Sequence, residues 1–204
     1  RVRNVVAHSF IKKLEQEKTL TKKLLEIERQ AHTDFLTGLD NRTILEKSVG
    51  EFFVKSSSYD AVFISLDIDD FKTINDTFGH MTGDETIKKV AALLVKFFDK
   101  KTIVCRMGGD EFAAFLKLSG SGLQIGRKII EAKAQAACAL IHEVYSDGQN
   151  EVTITASIGV ALYPQNGKRF DELYKKADSV LYTSKNGGKN QYTICESPIQ
   201  QSEP

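Results

Sequence analysis

The stretch Thr102–Leu118, TIVCRMGGDEFAAFLKL, constrains the chain more than any other. Two apolar runs, Thr102–Met107 and Glu111–Leu116, flank Gly108-Gly109. Glycine reaches the positive φ that tight primed turns require, so the pattern predicts two strands joined at a turn of bare backbone. Asp110 and Glu111 follow at once. Bare backbone lets a bulky anion come close, and carboxylates hold the divalent ions that neutralise it. An ordinary solvated turn with acidic flanks explains the same residues, because turns are polar for solubility alone.

A second apolar run, AVFISL within Asp60–Asp67, predicts a strand buried on both faces. It ends in Asp67-Ile68-Asp69-Asp70. A carboxylate at the end of a buried strand is unfavourable unless it is paired or metal-bound. Alternatively the strand stops before Asp67 and the acids cap the next helix. Helical patterns cover about Arg42–Lys55, Phe71–Phe78, Thr82–Phe98, Leu123–Tyr145 and Asp171–Lys185, the last closed by Gly187-Gly188. Ile87, Val90, Ala91, Leu94, Val95 and Phe98 form one apolar face. Ser146–Asn150 reads as a polar loop. Glu151–Tyr163 reads as a strand, with Gly159 a bulge or a close-packing point, and Gln191–Ile194 as an edge strand. Strands and helices alternate around one hairpin, which predicts an α+β domain with a central mixed sheet flanked by helices.

Residues 1–32 are charged, helix-favouring and free of Gly and Pro. Val6, Phe10, Leu20, Leu24, Ile27 and Ala31 make an imperfect heptad seam if Lys13 and Glu17 count as polar members. Such a helix pairs with its twin and relays a state change, or else is a solvent-exposed linker. The segment after Cys195 is polar and reads as a disordered tail over 196–204. The first residue is Arg1, so a piece of a longer chain is expected.

Formal net charge is +1, which argues against a nucleic-acid binder working by bulk electrostatics. Three cysteines, Cys105, Cys138 and Cys195, have no CxxC spacing and fit a reducing, cytoplasmic setting. No apolar run reaches the ~18 residues of a membrane span, and no signal peptide is apparent.

If the hairpin pairs beside the first strand, Asp67 and Asp110 meet at one end of the sheet. Two carboxylates plus substrate phosphates are a usual way to hold Mg²⁺, and such ions activate a hydroxyl and stabilise leaving pyrophosphate. Lys185 and Lys189 would neutralise more phosphate charge or merely complement a helix dipole. A rival phosphate loop, Gly120-x-Gly122-x-x-x-Gly126, lacks a βαβ return with a suitably placed acid, and there is no Walker loop.

Four ordered blocks bring these features together: Asp34–Arg42 (DFLTGLDNR), Asp67–Glu85 (DIDDFKTINDTFGHMTGDE), Arg106–Phe112 (RMGGDEF), and Ser157–Pro164 with Ala177–Asn190. Together they resemble the GGDEF family of diguanylate cyclases, from about Asp34 to Gln191. The resemblance implies a palm-like fold, a catalytic domain over 33–195, and condensation of two GTP into cyclic di-GMP with release of two pyrophosphates. It implies Mg²⁺, or Mn²⁺, held by Asp67, the Ile68 carbonyl and Asp110. Asp110 would also take the 3′-hydroxyl proton, with Glu111 assisting. Asn75 and Asp84 would read guanine, because Asp84 accepts from N1–H and the exocyclic amine while Asn75 both donates and accepts. Phe71, Lys72 and His80 line that region. Gly108 and Gly109 leave room for the α-phosphate, and Lys185 and Lys189 contact phosphate. Relatives more often carry Arg where Lys189 stands, so bidentate contact is lost here. The family works as a homodimer, one GTP per subunit with facing sites, which gives the N-terminal helix a purpose. No nucleic-acid partner and no membrane contact within this fragment are implied. A catalytically silent module that binds GTP or a protein partner is the alternative, although such modules usually lose the third or fourth hairpin residue and this chain keeps both.

Many relatives carry an Arg-x-x-Asp product-binding motif shortly before the first hairpin glycine; here the window reads Asp99-Lys100-Lys101-Thr102. Initial rates measured against added cyclic di-GMP are therefore expected to show weak or no feedback through this window. Strong inhibition abolished by mutating Lys100 and Lys101 would contradict the expectation.

Overall fold

The computed structural model describes residues 2–55, 61–118 and 123–196. Glycines 120 and 122, the strand start at Asp60 and the tail from 197 onward lie outside the described residues. The central strand is β2 (Ala61–Ile68), buried at every position. Its alternation sorts two cores. Val62, Ile64, Leu66 and Ile68 join one apolar cluster, and Ala61 and Phe63 join another. That period of two is what a strand covered on both faces must show.

β2 pairs antiparallel with β4 (Glu111–Lys117) on one side and β7 (Ala156–Tyr163) on the other. β3 (Ile103–Gly108) forms the hairpin with β4. Short strands β1 (Asp40–Asn41) and β8 (Tyr192–Ile194) close the two edges in parallel, giving a mixed six-stranded sheet in the order β1-β3-β4-β2-β7-β8. Helices α3 (Phe71–Phe78), α4 (His80–Phe97) and α5 (Leu123–Leu140) contribute Ile74, Ile87, Val90, Leu94, Ala134 and Ala137 to the core on one face. On the other face lie α2 (Arg42–Lys55) and α6 (Phe170–Asn186), through Leu45, Val49, Phe52, Leu173 and Ala177. Helix α1 (Val2–His32) precedes the domain.

Three local expectations are corrected. α3 and α4 are separated by Gly79 alone, whose φ of +84° turns the chain in one residue, so α4 starts at His80 and takes in His80 and Met81, ahead of the expected start at Thr82. α5 stops at Leu140; residues Glu143–Ser146 form β5, which pairs with β6 (Glu151–Ile154) in a separate two-stranded sheet. The run Glu151–Tyr163 is therefore two strands broken at Thr155. At the break the Thr155 carbonyl accepts from the Asp69 amide at 2.9 Å, and the Thr155 hydroxyl donates to the Asp69 carboxylate.

Gly159 is the close-packing point of β7 against α6. A Cβ there would lie 2.0 Å from the Ala177 carbonyl oxygen and 2.5 Å from the Leu181 nitrogen, both rigid helix backbone. Gly159→Ala should therefore destabilise the domain by about 3 kcal/mol, read as a shift in the urea midpoint at unchanged slope.

Candidate functional site

The antiparallel register sets Asp67 of β2 directly opposite Glu111 of β4. The Ile68 amide donates to the Asp110 carbonyl at 3.3 Å, which draws the hairpin tip onto the end of the central strand. Asp67 follows the odd-numbered residues of β2 onto the α6 face. There Lys185 Nζ, from the last turn of α6, meets its Oδ2 at 2.7 Å. Asp67 is 6% exposed. Burial is the main cause that pushes its carboxyl up to about 6; Asp110 and Glu111 add repulsion, and Lys185 offsets part of the effect. Glu111 is raised as well, first by burial, then by Asp110 and Asp178. Three acidic groups thus crowd one end of the sheet.

Within the protein the hairpin tip requires its glycines for conformation, since no protein atom crowds them. Gly108 has φ +147° and Gly109 φ +52°, and a Cβ on either would meet nothing within 4 Å. The register slips between Arg106 and Gly108, a bulge that re-aims the tip. Arg106 fixes the turn from behind: Nε and Nη2 donate to the Gly109 carbonyl at 3.0 and 2.6 Å. Its Nη1 reaches both oxygens of Asp34 at 3.1 Å. Asp34 also accepts from the amide and hydroxyl of Thr37 at 2.9 and 2.7 Å, within a turn that puts Gly38 at φ +71°. Asn41 Nδ2 donates to the Ala31 carbonyl of α1 at 2.8 Å. The Asp34–Arg42 block is therefore a junction joining the end of α1 to the acidic tip.

Asp69, 2% exposed, was not singled out from the sequence. Its carboxylate accepts from the Thr155 and Ser157 hydroxyls, each at 2.7 Å, and from the Asn190 amide at 3.0 Å. It ties the end of β2 to the start of β7 and to the turn after α6. The signal was present in retrospect: Thr153, Thr155 and Ser157 interrupt the apolar run Glu151–Tyr163, and the last two face the second acid of Asp-x-Asp. In that turn Lys189 and Asn190 both have positive φ, at +63° and +47°, and Lys189 Nζ meets Asp70 Oδ1 at 2.7 Å. Lys189 thus reaches the same acidic loop as Lys185, through a different carboxylate.

The base-reading candidates sit one helix away. Phe71 and Asn75 lie on α3 and His80 and Asp84 on α4. Asn75 packs across the seam onto Gly83, which precedes Asp84 in the chain. Lys72, His80 and Asp84 are exposed, and Phe71 and Asn75 are half-buried.

Among the described residues, no three His, Cys, Asp or Glu side chains gather closely enough to hold a metal ion by themselves. Two carboxylates and a backbone carbonyl, completed by phosphate oxygens, are nonetheless a hard-oxygen donor set that suits Mg²⁺ in a nucleotide site.

Fold and site define a palm-type α+β domain with an acidic sheet end and an adjoining seam between two helices. The profile of the diguanylate cyclase GGDEF domain matches residues 31–191, and the chain belongs to the GGDEF family. Over 91% of its length it is 32% identical to the diguanylate cyclase DgcP of Pseudomonas aeruginosa, covering 27% of that protein. It is 29% identical over 84% of its length to the cyclic di-GMP phosphodiesterase PdeR of Escherichia coli, covering 25% of that protein. The coiled coil and GGDEF domain of DgcB from Caulobacter crescentus, in complex with c-di-GMP, superposes with a TM-score of 0.81 at 26% identity, over 93% of this chain and 98% of that one. The chain spans about a quarter of the length of both curated relatives.

Burial pushes the Asp34 carboxyl up, but the Thr37 hydroxyl, the Thr37 amide and Arg106 outweigh it, and the net value lies below 3.8. A depressed carboxylate stabilises above its unfolded value and loses that contribution as pH falls through its folded one. Asp34→Asn should therefore cost about 1–2 kcal/mol at neutral pH. The difference from wild type should shrink as pH drops below 3.8, as paired denaturation curves at several pH values will read.

Proposed function

We propose that this domain condenses two GTP molecules into cyclic di-GMP, each chain holding one GTP and the two sites facing each other in a homodimer. The observation that carries the reading is the convergence of Asp67, the Ile68–Asp110 backbone contact and Glu111 at one sheet end, beside the hairpin. Asp67, the Ile68 carbonyl and Asp110 would hold a divalent ion, Mg²⁺ or Mn²⁺, which when bound neutralises the triphosphate and acidifies the attacking hydroxyl.

The chain's own groups account for the remaining steps. Asp110 accepts the proton of the 3′-hydroxyl as that oxygen attacks the α-phosphorus held by the other chain; the bond to the bridging oxygen breaks and pyrophosphate leaves. Glu111 assists at the same site. Lys185 and Lys189 offer charge to the phosphates, Lys185 by shifting from Asp67 and Lys189 from Asp70. Gly108 and Gly109 let the α-phosphate approach the turn. Asn75 and Asp84 read the guanine edge while Phe71, Lys72 and His80 border it. Holding two reactants in line is worth far more than any single contact, which makes the pairing geometry part of the chemistry.

Helix α1 supports the pairing. Leu20, Leu24 and Ile27 are each more than half exposed on it, and the similar DgcB structure is described as a coiled coil with its GGDEF domain. No described helix is long and apolar enough to cross a membrane. A second reading is a module that binds GTP without turnover and regulates a neighbouring domain. It draws on the similarity to PdeR, a protein named for cyclic di-GMP hydrolysis.

Incubation with GTP and Mg²⁺ separates the two readings: cyclic di-GMP supports the first, and GTP binding without product supports the second. Asp110→Ala should lower product formation by ~10³ or more while leaving the melting temperature within a few degrees, because the residue sits at a turn outside the apolar cores. Normal turnover by that variant would overturn the assignment.

A further inference from the structure

Gly83 lies inside α4, where glycine is among the least favourable residues. Its backbone is ordinary helix, unlike Gly79, Gly108 and Gly109, so no positive φ explains it. Space does. A Cβ on Gly83 would fall 2.0 Å from Asn75 Oδ1, 3.0 Å from Asn75 Cγ and 3.1 Å from Phe71 Cζ. Gly50, the glycine inside α2, offers the contrast: a Cβ there meets nothing within 4 Å.

We propose that Gly83 is a positioning residue for base recognition: its missing side chain is the seat that holds the Asn75 amide across the α3–α4 seam beside Asp84. The proposal rests on the guanine-reading role given to Asn75 above. The obstructing atom is the far end of a rotatable side chain rather than backbone. A methyl at position 83 is therefore relieved by Asn75 swinging out, with a few tenths of an ångström from the Phe71 ring. The fold survives and the amide loses its place. A substitution that touches no ligand thus acts on the base through its neighbour, and it acts selectively, because the phosphate-facing groups lie on β2, the hairpin and α6.

Binding of 3′-deoxy-GTP and 3′-deoxy-ATP with Mg²⁺, which cannot undergo condensation, reads this directly by calorimetry. Gly83→Ala should weaken 3′-deoxy-GTP about tenfold, leave 3′-deoxy-ATP unchanged, and so lower base selectivity by the same factor. The loss should vanish in an Asn75→Ala background, where adding Gly83→Ala changes affinity by less than about twofold, because neighbours sharing one contact are non-additive. Gly50→Ala is the matched control and should alter neither affinity. Equal losses for both nucleotides, or a loss that adds fully to that of Asn75→Ala, would mean a general effect on the helix and overturn the proposal. If Gly83→Ala melts too low to assay, the double variant must recover the melting temperature; failure to recover places the clash elsewhere and also overturns it. A wild-type protein that binds neither nucleotide overturns the guanine reading and this inference together, whereas tight 3′-deoxy-GTP binding unaffected by Gly83→Ala overturns this inference alone.

Discussion

The site depends on one buried carboxylate at the end of a strand covered on both faces. Asp67 cannot relax into solvent, because β4 and β7 flank it and α6 lies over it. Its charge is disfavoured by burial and by its acidic neighbours, and a single ammonium at 2.7 Å answers it. Such an arrangement is a poor stability device, since an apolar residue would fill the space without desolvating a charge. It suits a group whose charge is answered by a cation, here the Lys185 ammonium. The raised proton affinity of Asp67 and the crowding of Asp110 and Glu111 both describe a place where positive charge lowers the energy.

Around that carboxylate the chain is stitched by contacts that span long sequence distances. Asp69 gathers β7 and the turn after α6 onto the end of β2. Arg106 gathers the hairpin turn onto Asp34, at the exit of α1. These two polar knots differ in character. The first is enclosed and fully partnered, which favours one rigid arrangement. The second reaches the surface at a junction whose own turn depends on Gly38 at positive φ. A change in how α1 leaves the domain therefore has a short covalent and hydrogen-bonded route to the acidic tip.

Periodicity made most of this fold legible. The continuous apolar run of β2, the glycine pair of the hairpin, and the apolar stripe of α4 apart from the exposed Val95 each state their own structure, because local pattern and tertiary burial agree there. Gly159 was legible as either a bulge or a packing point, and what it packs against was not legible. The β5–β6 hairpin was not: residues 141–145 continue the apolar spacing of α5, and nothing local reports that Glu143–Ser146 finds a partner strand. The break at Thr155 was hidden for the opposite reason, since β-branched residues run straight through it and only the distant Asp69 ends the strand. The Asp34–Arg106 contact joins residues 72 positions apart, beyond any spacing rule. The metal-end candidates could be named from the resemblance because acids at strand ends are conspicuous; the seat at Gly83 could not, because an absent side chain announces nothing about what fills its space.

The two ends of the candidate site are built from different materials, and this decides which one tolerates change. The acidic end rests on strand register, where a shift of one residue would turn every side chain to the opposite face, so it holds its geometry or fails outright. The proposed base-reading end rests on a seam between two helices joined by a single glycine, where a side chain can rotate without disturbing a ladder. Between the two ends stands Asp70, a non-glycine residue at φ +56° that caps α3, with Lys189 held against it. Changes of base preference are therefore expected to arise on α3 and α4 while the chemistry at the sheet end stays fixed.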